Sequence, residues 1–324
     1  MDTNEIYLSF LSYFYPSFFC LGILAQIVLL FMILRHTPQT MSILRAILAN
    51  TSICQLCLLV HCCASQFRMI TTDIPVVLRS YGPAHKYFKP WVMYALHQSM
   101  QLLVIMSGMS IIVTFYFKYA IVCNKNLSTA KKFMIFLLFH IPAMISGTVE
   151  VIMVFTQALP QEIQDMYATM NEGVSDYSVI GILSLYSLPS RINFLCVVGP
   201  VFSYSIVAFF LRYKILKMIN DGSTHASDTR KIQHQSFTMG LTIQAVLPVV
   251  FYIPVFSLYL YCLSTREEIL FQQYFQYINS SLPTLVDPLV SLYFVTPYRD
   301  QIKYRLGVKP KIPVKPLTIA VALV

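Results

Sequence analysis

Charged residues are scarce in this sequence. Only 11% of its 324 residues are Asp, Glu, Lys or Arg, whereas 56% are hydrophobic and the mean hydropathy is +0.64. A soluble domain usually has about 25% charged residues, because its surface has to be hydrated. The deficit excludes a water-facing globular domain and predicts one membrane domain, with no stretch long enough for a second folded domain.

The motifs of the common enzyme classes are missing as well. The sequence has no HExxH, GxSxG, GxGxxG or P-loop spacing. Glu150, Asp287 and the histidines form no spaced acid/base pair and no metal-ligand set. We therefore predict that the protein is not an enzyme and that it binds no cofactor.

The eight cysteines lack a second cluster that would complete a four-ligand metal site. Cys54 and Cys57 have the CxxC spacing, and Cys62 and Cys63 follow on the same apolar run, which is compatible with a metal site on one helix. Small apolar side chains in a helix interface explain the same pattern. We favour this second interpretation and predict no metal.

Long apolar runs are what the sequence has in abundance. A helix needs about 20 apolar residues to cross the hydrocarbon core, and seven runs reach that length. The runs cover residues 6–34, 46–66, 91–117, 133–157, 192–211, 237–263 and 269–295. No basic segment precedes the first run, so we expect it to stay as a helix and not to be cleaved as a signal peptide. The predicted fold is an all-α membrane protein with a seven-transmembrane helix bundle.

The C-terminal end of the chain differs in composition from the apolar runs before it. Residues 1–300 form the predicted seven-transmembrane domain. Residues 301–324 include Lys309-Pro310-Lys311 and Lys315-Pro316, a composition that is typical of a disordered tail.

Basic residues predict how the domain is threaded through the bilayer. With the N-terminus outside, 17 of the 23 Lys and Arg residues fall in cytoplasmic segments, as the positive-inside rule requires. Four of the other six lie in the outer loop from Arg68 to Lys89, against that trend. The net charge of +9 therefore belongs to short flanking segments and not to a nucleic-acid-binding face. We predict an extracellular N-terminus, a cytoplasmic C-terminus and no nucleic-acid partner.

The sixth and seventh spans contain residues that suggest moving parts. Pro248 and Pro254 lie six residues apart in the sixth span and should kink it strongly, either as a hinge for its cytoplasmic half or as a static bend that improves packing. Asp287 lies deep in the seventh span and is followed by Pro288. Such an acid is either part of a polar switch or a hydrogen-bonded structural residue, and the adjacent proline favours the switch.

Polar residues in the outer part of the third span are candidate ligand contacts. Gln98 and Gln101 are three residues apart and share a face, and His97 and Gln101 are four apart. They could line an outward-facing cavity, or they could bond to neighbouring helices. Tyr252, between the two prolines of the sixth span, completes this candidate ligand set. Glu150, at the outer end of the fourth span, could likewise contact a ligand or bond to a neighbouring helix.

The predicted cytoplasmic segments supply candidate contacts for a partner protein. These residues are basic, or adjacent to a basic residue, and flank the spans. They are Lys118, Tyr119, Lys131, Lys132, Lys217 and Arg299.

Several short motifs resemble those of known receptors. Phe117-Lys118-Tyr119 stands where rhodopsin-like receptors have Asp-Arg-Tyr, and the run from Asp287 to Ser291 stands where they have Asn-Pro-x-x-Tyr. The Leu-Thr-Ile-Gln-x-x-x-Pro run at 241–248 and Pro297-Tyr298-Arg299 are similar to motifs of nematode serpentine chemoreceptors. Tyr81-Gly82-Pro83 points to class delta among them.

This resemblance to the serpentine chemoreceptors of class delta carries functional implications. It implies a rhodopsin-like bundle in the plasma membrane of a sensory cell. It also implies an extracellular small-molecule or peptide ligand and a heterotrimeric G protein on the cytoplasmic face. Lys118 departs from the usual arginine and lacks its planar fork, which implies altered coupling. The alternative to a receptor is a transporter or channel that uses Asp287 and Glu150 as ion or proton groups.

In such receptors a disulfide bond often joins the outer end of the third helix to the second outer loop. That loop, residues 158–191, contains no cysteine here. We therefore expect the outer face to be held by packing alone.

Overall fold

The computed structural model describes residues 3–37, 42–71, 75–123, 127–169, 177–221 and 228–308. Within these ranges the chain forms twelve α-helices and three β-strands. In chain order they are α1 (Thr3–His36), α2 (Ser42–Ser65), β1 (Phe67–Ile70), β2 (Val76–Ser80), α3 (Pro90–Val122), α4 (Thr129–Phe139), α5 (Ile141–Thr156), α6 (Gln161–Thr169), β3 (Ser178–Ile182), α7 (Leu188–Asp221), α8 (Asp228–Phe251), α9 (Ile253–Thr265), α10 (Leu270–Ser281), α11 (Pro283–Phe294) and α12 (Thr296–Arg305).

Most of the predicted spans are long apolar helices. In the described part of the chain, five helical segments are long and apolar enough to cross a membrane: α1, most of α2, α3, α7 and the combined run of α8 and α9. The pair α4 and α5 makes a sixth span if it is counted as one broken helix. The seventh predicted span corresponds to α10 and α11, which have only 12 residues each and are joined at Leu282.

Bends in the spans differ from the prediction. The helix of the sixth span is unbroken at Pro248 and breaks only at Tyr252, two residues before Pro254. Pro254 lies in the first turn of α9, where its missing N–H group is not needed. A bend of 50° separates α4 from α5 at His140. Pro142 explains it, because a proline ring clashes with the helical backbone before it.

The third span lies at the centre of the bundle. In the most apolar window of α3, 67% of the residues are buried, compared with 33–44% in the other four long spans. It packs against α2, α5 and α7. Polar side chains on α3 therefore mostly face protein and not lipid.

A small antiparallel sheet covers the outer end of the bundle. β1 pairs with β2, and β2 pairs with β3 from the second outer loop, with Leu78 opposite Met69 on one side and Ile180 on the other. β1 packs on α10 and β3 on α3. Our expectation that packing alone holds the outer face is therefore wrong, because backbone hydrogen bonds join the two outer loops.

The Tyr81-Gly82-Pro83 motif anchors this sheet to α2. The Gly82 N–H group donates to the Ser65 carbonyl oxygen at 3.0 Å. A Cβ atom at Gly82 would lie 2.2 Å from the Ala64 carbonyl oxygen, so only glycine allows this approach. Pro83 then begins a short 3-10 helix, at a position where proline is favoured.

The tail begins later than predicted. α12 follows α11 directly and extends to Arg305, so residues 301–305 are helical and the predicted start of disorder at 301 is wrong. Tyr298 is buried against Leu29 and Ile33, and its hydroxyl lies 2.6 Å from Thr37 Oγ1. Burial raises the pKa of Tyr298 above its usual 10.0, so the hydroxyl remains protonated at neutral pH. Residues 309–324, which hold the rest of the predicted tail, lie outside the described residues.

Candidate functional site

A cavity of about 70 Å³ lies beneath the sheet, among the third, fifth, sixth and seventh spans. Its walls are mainly apolar, with a few convergent polar groups, which is the usual composition of a small-molecule site. The lining residues are Met69, Met100, Gln101, Val104, Met153, Ile182, Leu185, Ser190, Asn193, Phe194, Val197, Val198, Phe256, Tyr259, Gln276, Tyr277 and Ser280.

Asn193 of α7 organises the polar side of this cavity. Its Nδ2 donates to Gln101 Oε1 at 2.9 Å. Its Oδ1 lies 3.1 Å from the hydroxyl of Ser146, which in turn lies 2.9 Å from Glu150 Oε1. The amide thus connects the cavity wall on α3 to the buried carboxyl group on α5.

The four predicted ligand residues are not equally placed. Gln101 lines the cavity directly. His97 lies behind the wall, with Nε2 2.7 Å from the hydroxyl of the lining residue Tyr277, and Gln98 Oε1 lies 3.5 Å from Asn193 Nδ2. Tyr252 is buried one turn before Phe256 and is not among the lining residues. The structure thus brings three of the four residues to the cavity or its wall.

Sequence reasoning missed most of the lining from the fifth to seventh spans. Phe256 and Tyr259 are three residues apart, and Gln276 and Ser280 are four apart, so each pair shares a helix face. That spacing was a usable signal. Asn193 carried no comparable pattern, because its partners lie on other helices.

Several buried polar atoms around the cavity have no hydrogen-bond partner among the described residues. They include Nε2 of Gln98, Oε1 of Gln276 and Nδ1 of His97. Buried polar groups are nearly always satisfied by protein, water or a ligand. Gln276 Oε1 on the cavity lining, and the atoms of His97 and Gln98 behind it, therefore have unused hydrogen-bonding capacity.

A second polar cluster surrounds Asp287 deeper in the bundle. Gln55 Nε2 of α2 donates to Asp287 Oδ2 at 2.6 Å and lies 3.3 Å from the hydroxyl of Ser107 on α3. Gln26 of α1 donates from Nε2 to Gln55 Oε1 at 2.9 Å and to the Thr284 carbonyl oxygen at 2.7 Å. Four spans thus converge on one carboxyl group that is 3% exposed.

Hydrogen bonds between the fifth, sixth and seventh spans lie on the predicted cytoplasmic side. Arg212 Nε of α7 donates to Thr242 Oγ1 of α8 at 2.7 Å. Gln244 Nε2 of α8 donates to Ser291 Oγ of α11 at 2.9 Å. Asp287 and Pro288 lie one turn before Ser291 on the same helix. The sixth span is therefore tied on both sides to its neighbours.

The predicted partner contacts are only partly at the surface. Lys131 and Lys217 are exposed, and Lys132, Tyr119 and Arg299 are half-buried. Lys118 is 5% exposed inside the bundle. In this conformation Lys118 does not reach the surface, and its role as a partner contact stays a prediction.

Comparison with known proteins places this architecture in a class of receptors. The family described as "Serpentine type 7TM GPCR chemoreceptor Srd" matches residues 11–304, nearly the whole bundle. The chain is therefore a multi-pass membrane protein of the seven-transmembrane receptor class. It belongs to the Srd family of serpentine chemoreceptors.

Three relatives from Caenorhabditis elegans illustrate the match. Serpentine receptor class delta-40 is 46% identical over 97% of this chain and 98% of its own length. Serpentine receptor class delta-44 is 34% identical over 96% of this chain and 98% of its own. Serpentine receptor class delta-47 is 33% identical over 92% and 93%. The resemblance inferred from the short motifs is thus confirmed.

Proposed function

We propose that this protein is a chemosensory receptor that binds an extracellular ligand in the cavity around Asn193 and signals to a cytoplasmic G protein. It acts by binding and conformational change, without enzymatic chemistry. Its N-terminus is extracellular, its C-terminus is cytoplasmic, and it resides in the plasma membrane. The unused hydrogen-bonding groups around the cavity are the observation that supports this proposal most strongly.

The cavity fits a small, mostly apolar ligand with a hydrogen-bonding group at one end. Methionine, valine and aromatic side chains form most of its wall, and Gln101, Asn193 and Gln276 form the polar end. A ligand hydroxyl or N–H group could donate to Gln276 Oε1, which lacks a partner among the described residues. The apolar remainder would contact Phe256 and Tyr259.

The seventh span provides a route from the cavity to the polar cluster. Gln276, Tyr277 and Ser280 of α10 line the cavity, and Asp287 lies on α11 beyond the joint at Leu282. A ligand that binds one orientation of α10 more tightly would change how α11 presents Asp287 to Gln55. It would shift the equilibrium only by its differential affinity for the two states.

The alternative function, transport of ions or protons by Asp287 and Glu150, is less well supported. Asp287 is enclosed by Gln55 and its neighbours and is not among the residues that line the outer cavity. Glu150 accepts a hydrogen bond from Ser146, whose hydroxyl also contacts the lining residue Asn193. The two acids therefore occupy separate clusters in this conformation.

The direct test is a ligand screen in cells that express the receptor, read through a generic second messenger. Asn193→Ala and Gln101→Ala should weaken the response to any ligand found, whereas Gln161→Ala on the exposed face of α6 should not. A response that depends equally on all three positions, or on none, would contradict the assignment of the cavity.

A further inference from the structure

Three arginines lie close to the sheet on the outer face, where the receptor function described above does not use them. Arg68 of β1 lies directly opposite Arg79 of β2 in the sheet. Like charges opposite one another are unfavourable unless another group compensates them. Arg266 approaches the same strand and donates from Nη1 to the Thr71 carbonyl oxygen at 3.1 Å. Three guanidinium groups therefore gather at one sheet.

A second cavity, of about 200 Å³, lies beside Arg68 between β1 and the first and seventh spans. Three tyrosines contribute to its wall, Tyr15, Tyr81 and Tyr274. Ser12 of α1 also lines it and is exposed, so the cavity reaches the surface of the protein. Its lining residues differ entirely from those of the cavity around Asn193.

Among the described residues, Arg68 is the only arginine or lysine in this lining, and it is 7% exposed. Its Nε and Nη2 donate to Gln273 Oε1 at 2.9 and 2.6 Å, and its Nη1 donates to the Tyr274 hydroxyl at 2.7 Å. A guanidinium group carries five N–H donors. In the described part of the chain these bonds use three of them, which leaves two for another acceptor.

Among the described residues, the Tyr274 ring, whose centroid is 4.3 Å from the guanidinium carbon, and one distant carboxylate balance the charge of Arg68. The carboxylate of Glu268 is 3.9 Å from Nη2, and its side chain is 57% exposed. The same oxygen accepts a hydrogen bond from Gln273 Nε2 at 3.0 Å. Exposed ion pairs contribute little, whereas a buried charge is costly unless it is well paired. An anion in the cavity would supply the missing partner.

We propose that this second cavity is a binding site for a small organic carboxylate with an aromatic or apolar body. The carboxylate would accept from the two remaining N–H groups of Arg68, since guanidinium and carboxylate groups pair strongly in two-point contacts. The body of the ligand would lie among Tyr15, Tyr81 and Tyr274. The statement that the ligand arrives from outside the cell rests on the proposed topology, whereas the binding itself does not.

Benzoate, compared with its uncharged isostere benzamide, is a suitable probe. The purified full-length receptor in phosphatidylcholine nanodiscs should show saturation-transfer NMR signals and a raised thermal midpoint with benzoate, and much weaker effects with benzamide. Arg68→Lys keeps the charge but removes the planar fork, so we expect benzoate affinity to fall about tenfold. Arg191→Lys, at an exposed arginine, should leave it unchanged.

A second pair of variants covers the possibility that Arg68→Lys does not fold. Ser12→Phe would fill the cavity from its exposed edge and should abolish the benzoate signal, whereas Ser17→Phe, on an exposed part of the same helix, should not. Equal binding of benzoate and benzamide, or binding that survives Ser12→Phe, would overturn the proposal.

A lipid headgroup is the other possible source of an oxyanion for this second cavity. If the benzoate signal vanishes in nanodiscs that contain phosphatidylglycerol, the site belongs to a lipid phosphate and the carboxylate proposal fails. If the signal persists there, the proposal is supported. None of these outcomes depends on Asn193, so failure here is distinguishable from failure of the receptor assignment.

Discussion

The two polar regions inside the bundle differ in how completely their hydrogen bonds are made. Around the outer cavity, Gln98, Gln276 and His97 each keep a buried polar atom with no partner among the described residues. Around Asp287, both polar atoms of the Gln55 side chain are bonded, and Gln26 bonds to a side chain and to a backbone carbonyl. Asp287 Oδ1 is the atom of this carboxyl group that has no partner among the described residues. We propose that the first region accepts a further molecule, whereas the second holds four spans together.

This difference predicts that mutations in the two regions will have different consequences. Removing a group from the Asp287 cluster should reduce stability, because its partners are left buried without an acceptor. Removing a group from the outer cavity should reduce ligand response with little effect on stability, because some of the hydrogen-bonding capacity there is unused.

Asp287→Leu should have the largest effect. Gln55 Nε2 would lose an acceptor 2.6 Å away, and a buried donor without a partner costs about 1–3 kcal/mol. We expect a clearly lower thermal midpoint for the purified receptor. Asp287→Asn keeps an acceptor oxygen and should be milder. Ligand-evoked signalling that persists in Asp287→Asn with unchanged potency would remove Asp287 from the switch.

Gly82→Ala tests whether the sheet, and not only packing, holds the outer face. The new Cβ would lie 2.2 Å from the Ala64 carbonyl oxygen, and such overpacking typically costs about 1–3 kcal/mol. We expect faster hydrogen exchange of the β1 and β2 amides. Gly199→Ala is the matched control, since no atom lies within 4 Å of its new Cβ. Equal exchange rates in the two variants would contradict an anchoring role for Gly82.

Asn193→Ala tests the prediction that mutations in the cavity reduce ligand response more than stability. Loss of one amide contact to the ligand or to Gln101 is worth about 1 kcal/mol, so we expect ligand potency to fall about fivefold. The thermal midpoint should change less than in Asp287→Leu. A larger loss of stability than in Asp287→Leu would reverse the proposed roles of the two regions.

Tyr298→Phe should have the smallest effect. It removes the hydrogen bond to Thr37 but keeps the ring packed against Leu29 and Ile33, so the cost is about 1 kcal/mol. We expect increased mobility of α12, measured by a spin label at Lys303, with ligand affinity unchanged. Mobility equal to that of the unmodified chain would show that packing alone positions α12.

Prediction from sequence succeeded where the signal is local. The runs that form α1, α3 and α7 were identified because each contains enough consecutive apolar residues, and Asp287 stood out because an acid in such a run is costly. The break between α4 and α5 was missed, although Pro142 marks it, because a proline within a span is also compatible with a mild kink.

The sites themselves were only partly predictable. Gln101 was recognised from its spacing on α3, whereas Asn193 was not, because its role depends on partners on two other helices. The sheet escaped prediction for a similar reason. Its strands come from two loops separated by about 100 residues, and Arg68 and Arg79 become neighbours only when β1 and β2 pair.

The sequence by itself determined that the chain is embedded in a bilayer. It also determined which long segments form helices and which side chains are too polar to face lipid. These are properties of single segments measured against their solvent. The tertiary structure alone decided that Gln26, Gln55 and Asp287 share one cluster, that Asn193 joins α3 to α5, and that Arg68 borders a separate cavity. Those outcomes depend on how helices rotate and pack against one another, which no single segment specifies.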